Sequence, residues 1–207
     1  DTRYRFSVRA PAGFPECQEQ RPVVVGAGPC GYFAALLLAQ MGFRPLLLER
    51  GQPVKQRTLR TFAFWRGKKP FDPESNAQFG EGGAGTFSDG KLYSQVSDPE
   101  SYGRKVLEEL VASGANPDIL TSYRPHIGTF KLATVVRGLR ARIEALGGEV
   151  WFESRVERLH LEPRLAGEKP LQLVGLDLAD GRTISCRHLV LAPGHSARDC
   201  FSMLEQI

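Results

Sequence analysis

The sequence predicts an α/β fold in which helices pack on a parallel sheet and a small antiparallel β-meander is attached. Three observations carry this. Two short apolar runs, 22–25 (Pro-Val-Val-Val) and 46–49 (Leu-Leu-Leu-Glu), flank a helical segment, and strand, helix and strand within roughly 30 residues make the βαβ unit of a parallel sheet. A glycine-rich turn, Gly26 to Gly31, sits where the first strand passes into that helix. Further on, two strand-like runs are joined by Asp180-Gly181, a dipeptide that adopts the left-handed backbone of a tight hairpin at little cost.

Residues 1–20 hold Pro11, Gly13 and Pro15 and little periodicity beyond Tyr4-x-Phe6-x-Val8. They are expected to be the end of a preceding strand and domain, followed by a linker. The domain proper is expected over 21–207. Its first helix should run from Pro29, favoured in a first turn, to Met41, with Gly42 as its stop. A basic helix is expected from Pro53 to Arg66. Residues 67–97 are rich in Gly, Ser, Asp and Pro and have no period. Irregular stretches of that length in compact domains are functional or disordered. Asp98-Pro99-Glu100 is expected to open a helix that ends at Gly114, with Asp98 as its cap. Leu132, Val135, Val136, Leu139, Ile143 and Leu146 follow helical spacing and predict a helix over 129–146, stopped by Gly147-Gly148. The remainder reads as strands at 150–152, 156–161, 171–178, 183–186 and 188–192.

With 207 residues, 42% hydrophobic and 24% charged, the composition is ordinary for a globular protein with one sizeable core or two small ones. The chain opens with Asp1 and not Met, and it is expected to be an incomplete fragment of a longer protein. The longest apolar stretch, 34–39, is too short to cross a bilayer, so no membrane partner is expected. Cys17, Cys30, Cys186 and Cys200 show no Cys-x-x-Cys pair and no metal-ligand spacing. Free thiols in a reducing, cytoplasmic compartment are expected, and zinc or iron–sulfur sites are not.

The net charge of +4 is uneven: eight basic residues lie between Arg44 and Lys69 against one acid, Glu49. A solvated helix face is the plainer explanation. Attraction of an anionic cofactor or substrate, or a nucleic-acid patch, is the sharper one. Leu59, Phe62 and Trp65 make a helical stripe there, which reads as core and not as a base-stacking surface.

Gly26-Ala27-Gly28-Pro29-Cys30-Gly31 has the G-x-G-x-x-G spacing, with a strand before it and a helix after it. Gly26 permits the tight turn, Gly28 lets the backbone approach a pyrophosphate, and Gly31 lets helix and strand pack closely. The helix N-terminus offers unpaired N–H groups and partial positive charge to phosphate oxygens. Glu49, at the end of the second strand, can accept the hydroxyls of an adenosine ribose and disfavours a 2′-phosphate there. A glycine turn without a ligand is the plain alternative.

A second loop, Gly80-Glu81-Gly82-Gly83-Ala84-Gly85, has the same spacing without a strand before it or a helix after it, so it is no second dinucleotide turn. Gly85-x-x-x-x-Gly90-Lys91 is followed by Leu92 where a phosphate-binding P-loop needs a hydroxyl. The glycines, with Thr86, Ser88 and Lys91, suit a nest around phosphate or a flavin edge. A mobile surface loop is the alternative.

These stretches resemble the FAD-dependent, or NAD(FAD)-utilising, dehydrogenases of the glutathione-reductase-like flavoprotein superfamily. The matching pieces are the Gly26–Gly31 turn, Leu48-Glu-Arg-Gly51, the segment 75–92, Pro125-His-Ile-Gly-Thr129 and Gly194-His-Ser-Ala-Arg-Asp199. The resemblance implies a Rossmann-like three-layer FAD/NAD(P)-binding domain. In it Gly26, Gly28, Pro29, Gly31, Glu49 and Arg50 would hold ADP. Gly82, Gly83, Gly85, Thr86, Ser88 and Lys91 would line the pyrophosphate, ribityl chain and flavin. Val156 would meet the adenine through its backbone, and Gly194 would return to the cofactor. Such proteins usually carry a Gly-Asp motif that closes over the ribityl chain. This sequence has none, so part of the FAD site and most of the substrate site are expected to lie outside it.

Flavin would supply the redox chemistry. His126 and His195 are the acid–base candidates, each read first as a hydrogen-bonding loop residue. Lys91 could place charge near the flavin, and Cys30 is expected simply to pack. The function expected is that of an FAD-binding oxidoreductase of dehydrogenase type, with NAD(P)H as a possible donor and a small-molecule substrate. A nucleic-acid-interacting flavoprotein, an NAD-binding module without flavin and a structural module are the alternatives.

Overall fold

The computed structural model describes residues 4–163 and 171–207. Four strands form a parallel sheet in the order β3 (Glu149–Trp151), β2 (Leu46–Leu48), β1 (Val23–Val25), β7 (Leu189–Leu191). Strands β4 (Val156–Pro163), β5 (Leu171–Leu178) and β6 (Thr183–Ser185) form a separate antiparallel sheet. The helices are α1 (Pro29–Gln40), α2 (Val54–Trp65), α3 (Tyr102–Ala112), α4 (Thr129–Ala145) and α5 (Arg198–Glu205).

The three layers follow from strand alternation. Val150, Leu47, Val24 and Val190 stand in register across the parallel sheet and face α1, α3 and α4. The residues on either side of them, including Val23, Val25, Leu46, Leu48, Leu189 and Leu191, point the other way, onto Val156, Leu176, Leu178 and Ile184 of the meander. A strand apolar on both faces is buried on both faces. Leu46, Leu47 and Leu48 are completely buried. Each contributes about 1.5–3 kcal/mol relative to exposure, which is why three-residue strands suffice here.

The first helix joins its strand through the Gly26–Gly31 turn. Gly26 has φ of +99°, and a side chain there would strike the Ala192 carbonyl. A Cβ on Gly31 would collide with the Gly26 carbonyl. Backbone atoms cannot yield as a flexible side chain can, so Gly31→Ala is expected to cost about 3 kcal/mol of folding stability. Urea denaturation checks this, and a loss below about 1 kcal/mol would show that the turn re-forms around the methyl group.

Several expectations need correction. Tyr4 to Val8 forms no strand. Residues 4–20 lie against the domain: the Ala10 amide donates to the Met41 carbonyl at 2.8 Å, Phe14 packs edge-on to Phe43 and Tyr4 on Tyr102. The third helix starts at Tyr102, not near Asp98. Asp98 does cap it, accepting the Tyr102 and Gly103 amides at 2.9 and 2.7 Å, but across a turn closed by the Ser101 amide on the Asp98 carbonyl. The stripe on α2 is not core. Leu59, Phe62 and Trp65 are 64%, 40% and 54% exposed. Helix α5 carries no strong start signal in the sequence, which predicts no helix after the last strand. The hairpin at Asp180-Gly181 stands as read, with the Leu178 amide on the Arg182 carbonyl.

Glu109 of α3 is largely buried, which pushes its carboxyl pKa up. Hydrogen bonds from Lys105 (2.5 Å) and Gln40 (2.8 Å) and the charge of Arg142 outweigh that and leave it below the usual range. At Glu149 the hydrogen bond from Arg21, at 2.6 Å, is the main cause of a depressed pKa. A carboxyl depressed on folding contributes stability above its unfolded pKa, near 4.3, and that contribution is lost as pH falls through the folded value. The urea midpoint is therefore expected to be flat from about pH 5 to 7 and to fall below about pH 4, less steeply in Glu109→Gln. A variant with the same acid slope as the parent would exclude Glu109 as a contributor.

Candidate functional site

Strands β1, β2 and β7 end together, and a cavity of about 730 Å³ opens beyond their carboxyl ends. Ligands of open α/β sheets bind at this edge. One wall is the first glycine turn. Its N-cap, Gly28, has no side chain, and the Cys30 and Gly31 amides find no partner among the described residues. The facing wall is the second glycine loop. Its short 3₁₀ turn, Ala84–Phe87, likewise leaves the Ala84 and Gly85 amides without partners. The two loops are tied by the Gly82 amide on the Ala27 carbonyl at 2.8 Å. Two helical N-termini thus converge on one space, which favours an anion. At Gly28 a Cβ would meet nothing nearer than the Gly83 α-carbon at 3.8 Å.

Behind the second loop lies a buried polar frame. Arg57 of α2 is fully buried. Its guanidinium donates to the carbonyls of Asn76 (2.8 Å), Ala77 (3.1 Å), Gly80 (3.2 Å) and Glu81 (2.6 Å) and to Thr86 Oγ1 (3.3 Å). Burial lowers its pKa to about 10, opposed by the charges of Glu49 and Glu81, so it stays charged at neutral pH. Glu81, also fully buried, accepts from Tyr32 Oη (2.8 Å) and the Val54 amide (2.5 Å) and pairs with Arg140 (3.2 Å). Burial, then the Glu81 charge, holds the Tyr32 hydroxyl well above the usual tyrosine pKa. Glu49 takes the Ala27 amide on Oε2 and the Gly51 and Gly80 amides on Oε1.

The sequence matches the pyridine nucleotide-disulphide oxidoreductase family over residues 20–205. The chain belongs to that family. A protein of Clostridium beijerinckii is 44% identical over 184 residues, covering 89% of this chain and 32% of that protein. The chain thus spans about a third of the length of this curated relative. Among solved structures, THI4 of Thermovibrio ammonificans is similar at 19% identity with a TM-score of 0.58, covering 91% of this chain and 62% of that one. Glycine oxidase of Bacillus cereus gives 13% and 0.52, covering 84% and 55%. A 3-ketosteroid-Δ4-(5α)-dehydrogenase of Rhodococcus jostii gives 17% and 0.50, covering 90% and 48%. At these identities the likeness is one of fold.

In this family member Gly26, Gly28, Pro29, Glu49, Arg50, Gly83, Gly85, Val156 and Gly194 all line the cavity. Gly31 lies behind the turn as a packing position, as its role in the motif requires. The other four residues expected at the site do not reach the cavity. Gly82 faces Thr86 and Val136, and Thr86 bonds the Glu81 carbonyl and Arg57 within the frame. Ser88 turns back onto the Gly85 carbonyl, and Lys91 is exposed and pairs with Asp89 at 3.3 Å. The loop's turn after Gly85 carries all three away. Cys30 lines the cavity and is exposed, so it is not packed in the core as expected. His195 lines it too, beside Ser196 Oγ at 3.3 Å, while His126 bridges the backbone of Lys91.

Sequence reasoning missed the far wall. Cys200, Phe201 and Leu204 of α5 line the cavity, and Asp199 holds α5 to Arg50 and, at 3.7 Å, to Arg155. Glu74 pairs with both arginines, at 3.1 and 3.5 Å. It also missed Arg57, counted among solvated charges. The available signal was helical spacing, since Arg57 shares a face with the buried Val54 and Thr61. No helix among the described residues is long and apolar enough to cross a membrane.

Proposed function

We propose that the chain is the dinucleotide-binding part of an FAD-dependent oxidoreductase of the NAD(FAD)-utilising dehydrogenase type. The observation that carries this is that Cys30, Ala84 and Gly85, whose amides have no partner among the described residues, line one cavity with Gly28, where a Cβ meets nothing closer than van der Waals contact. A pyrophosphate fits there, held by N–H groups and by the dipole of α1. The cavity volume lies within the range of cofactor sites.

The ADP end would lie along Gly26–Gly31, with adenosine toward Glu49, Arg50 and Val156. A carboxylate has about four acceptor positions. Three at Glu49 are taken by backbone amides, which leaves one for a single ribose hydroxyl. Arg50 and Arg155 are balanced by Glu74 and Asp199, so this end offers no spare cation for a 2′-phosphate. The bound flavin would pass a hydride between a reduced nicotinamide and a small-molecule substrate. The four free thiols support a reducing, cytoplasmic setting.

The test is spectroscopic and anaerobic. Protein loaded with FAD is mixed with NADH or NADPH and the oxidised-flavin band is followed. Bleaching by either supports the reading. A protein that binds FAD and is bleached by neither has another electron donor, and a protein that binds NAD but no FAD is a module without flavin.

A further inference from the structure

We propose that the face built by α2 and the 66–72 turn is a docking surface for an acidic polypeptide segment anchored by one large apolar side chain. The proposal is independent of the cofactor reading and concerns the opposite side of the 75–80 turn.

Leu59, Phe62, Phe64, Trp65 and Phe71 are all exposed here. Monomeric surfaces rarely gather so many large apolar groups without a partner for them. Between Phe64, Trp65, Pro70 and Phe71 lies a cavity of about 140 Å³. That is too small for a cofactor, whose sites start near 300 Å³, and it suits one anchoring side chain of the kind that dominates protein interfaces. Thr61 lines it, is 2% exposed, and its hydroxyl has no hydrogen-bond partner among the described residues. A buried hydroxyl left unpaired costs about 1–3 kcal/mol. A main-chain amide or carbonyl beside the anchor would satisfy it, and a lipid tail would not.

Charge gives the sign of the partner. Lys55, Arg66, Lys68 and Lys69 are exposed and make no ion pair among the described residues. Helix α2 contains no acid, and the acid that lines the cavity, Asp72, is taken by Arg60 at 2.8 Å. Complementary acidic residues would speed encounter and fix register. A nucleic acid is the poorer match. The rings meet one another edge to face, Phe62 and Trp65 at 73° and Phe64 and Phe71 at 61°, with Phe87 edge-on to the first pair. They form no open parallel platform for stacked bases.

The test pans a displayed library of random dodecapeptides with the 207-residue chain. The expected result is enrichment of sequences with Phe, Trp or Leu flanked by Asp and Glu. A synthetic copy of the leading sequence should bind saturably, and more weakly as salt rises. It should bind Lys68→Glu/Lys69→Glu, whose exposed positions leave the fold intact, and Phe64→Ser at least about tenfold more weakly. No enrichment would overturn the proposal, as would equal binding to the charge-reversed variant. So would retention of the chain on phosphatidylglycerol vesicles or polyuridylate that the peptide does not compete away.

Discussion

Gly28→Leu is expected to fold as the parent does and to bind FAD at least about a hundredfold more weakly, a loss of about 2.7 kcal/mol. The asymmetry comes from the two sides of one turn. A Cβ at position 28 makes only an ordinary van der Waals contact, with the Gly83 α-carbon at 3.8 Å, whereas a Cβ at position 31 strikes backbone. A leucine at 28 therefore fills the space the pyrophosphate needs without disturbing the protein around it. Titration by flavin fluorescence, with circular dichroism as the check on folding, reads both halves. A folded Gly28→Leu with parental affinity would remove the pyrophosphate from this turn.

Arg57→Met is expected to destabilise the fold by about 3–5 kcal/mol, because it removes the five hydrogen bonds of a buried guanidinium, strands the Asn76 and Ala77 carbonyls, and takes a buried cation from beside Glu49 and Glu81, leaving Glu81 with Arg140 alone. At a slope of about 2–3 kcal/mol per molar urea this lowers the midpoint by about 1–2 M. Arg57→Lys should lie between, since an ammonium keeps the charge and cannot reproduce the planar set of donors. A loss below about 1 kcal/mol in the methionine variant would show that the loop holds its shape without the guanidinium.

Much of the architecture was legible because it rests on short-range signals. Val23 to Val25 and Leu46 to Leu48 are apolar on both faces, and the turn between strand and helix demands glycine at 26 and 31 for reasons local to the turn. The first wall of the site followed from the same residues. The second wall did not. Nothing near Thr86, Ser88 or Lys91 in sequence says that the loop turns inward at Thr86 and outward at Ser88. That path is set by Arg57, which lies on a helix far earlier in the chain. The exposure of Leu59, Phe62 and Trp65 was invisible for a related reason. Helical spacing reports that residues share a face and not which face is covered, and the face α2 buries carries Arg57 and Thr61. Helix α5 reaches the cavity through ion pairs between Asp199 and residues distant in sequence, which no local pattern encodes.

The central strand has a consequence for how the molecule comes into being on the ribosome. Val23 to Val25 pair on one side with β2, made almost at once, and on the other with Leu189 to Leu191, which emerge only after four helices and five strands. At about 5–20 residues per second, the first glycine turn waits many seconds for the Ala192 carbonyl that closes over it, and the second loop is synthesised well within that interval. The nascent chain therefore holds an open half-site until residues 189–192 have emerged. If the cavity takes the dinucleotide proposed above, its capture is a late event, coincident with the closing of the sheet and with the slow formation of such distant pairings.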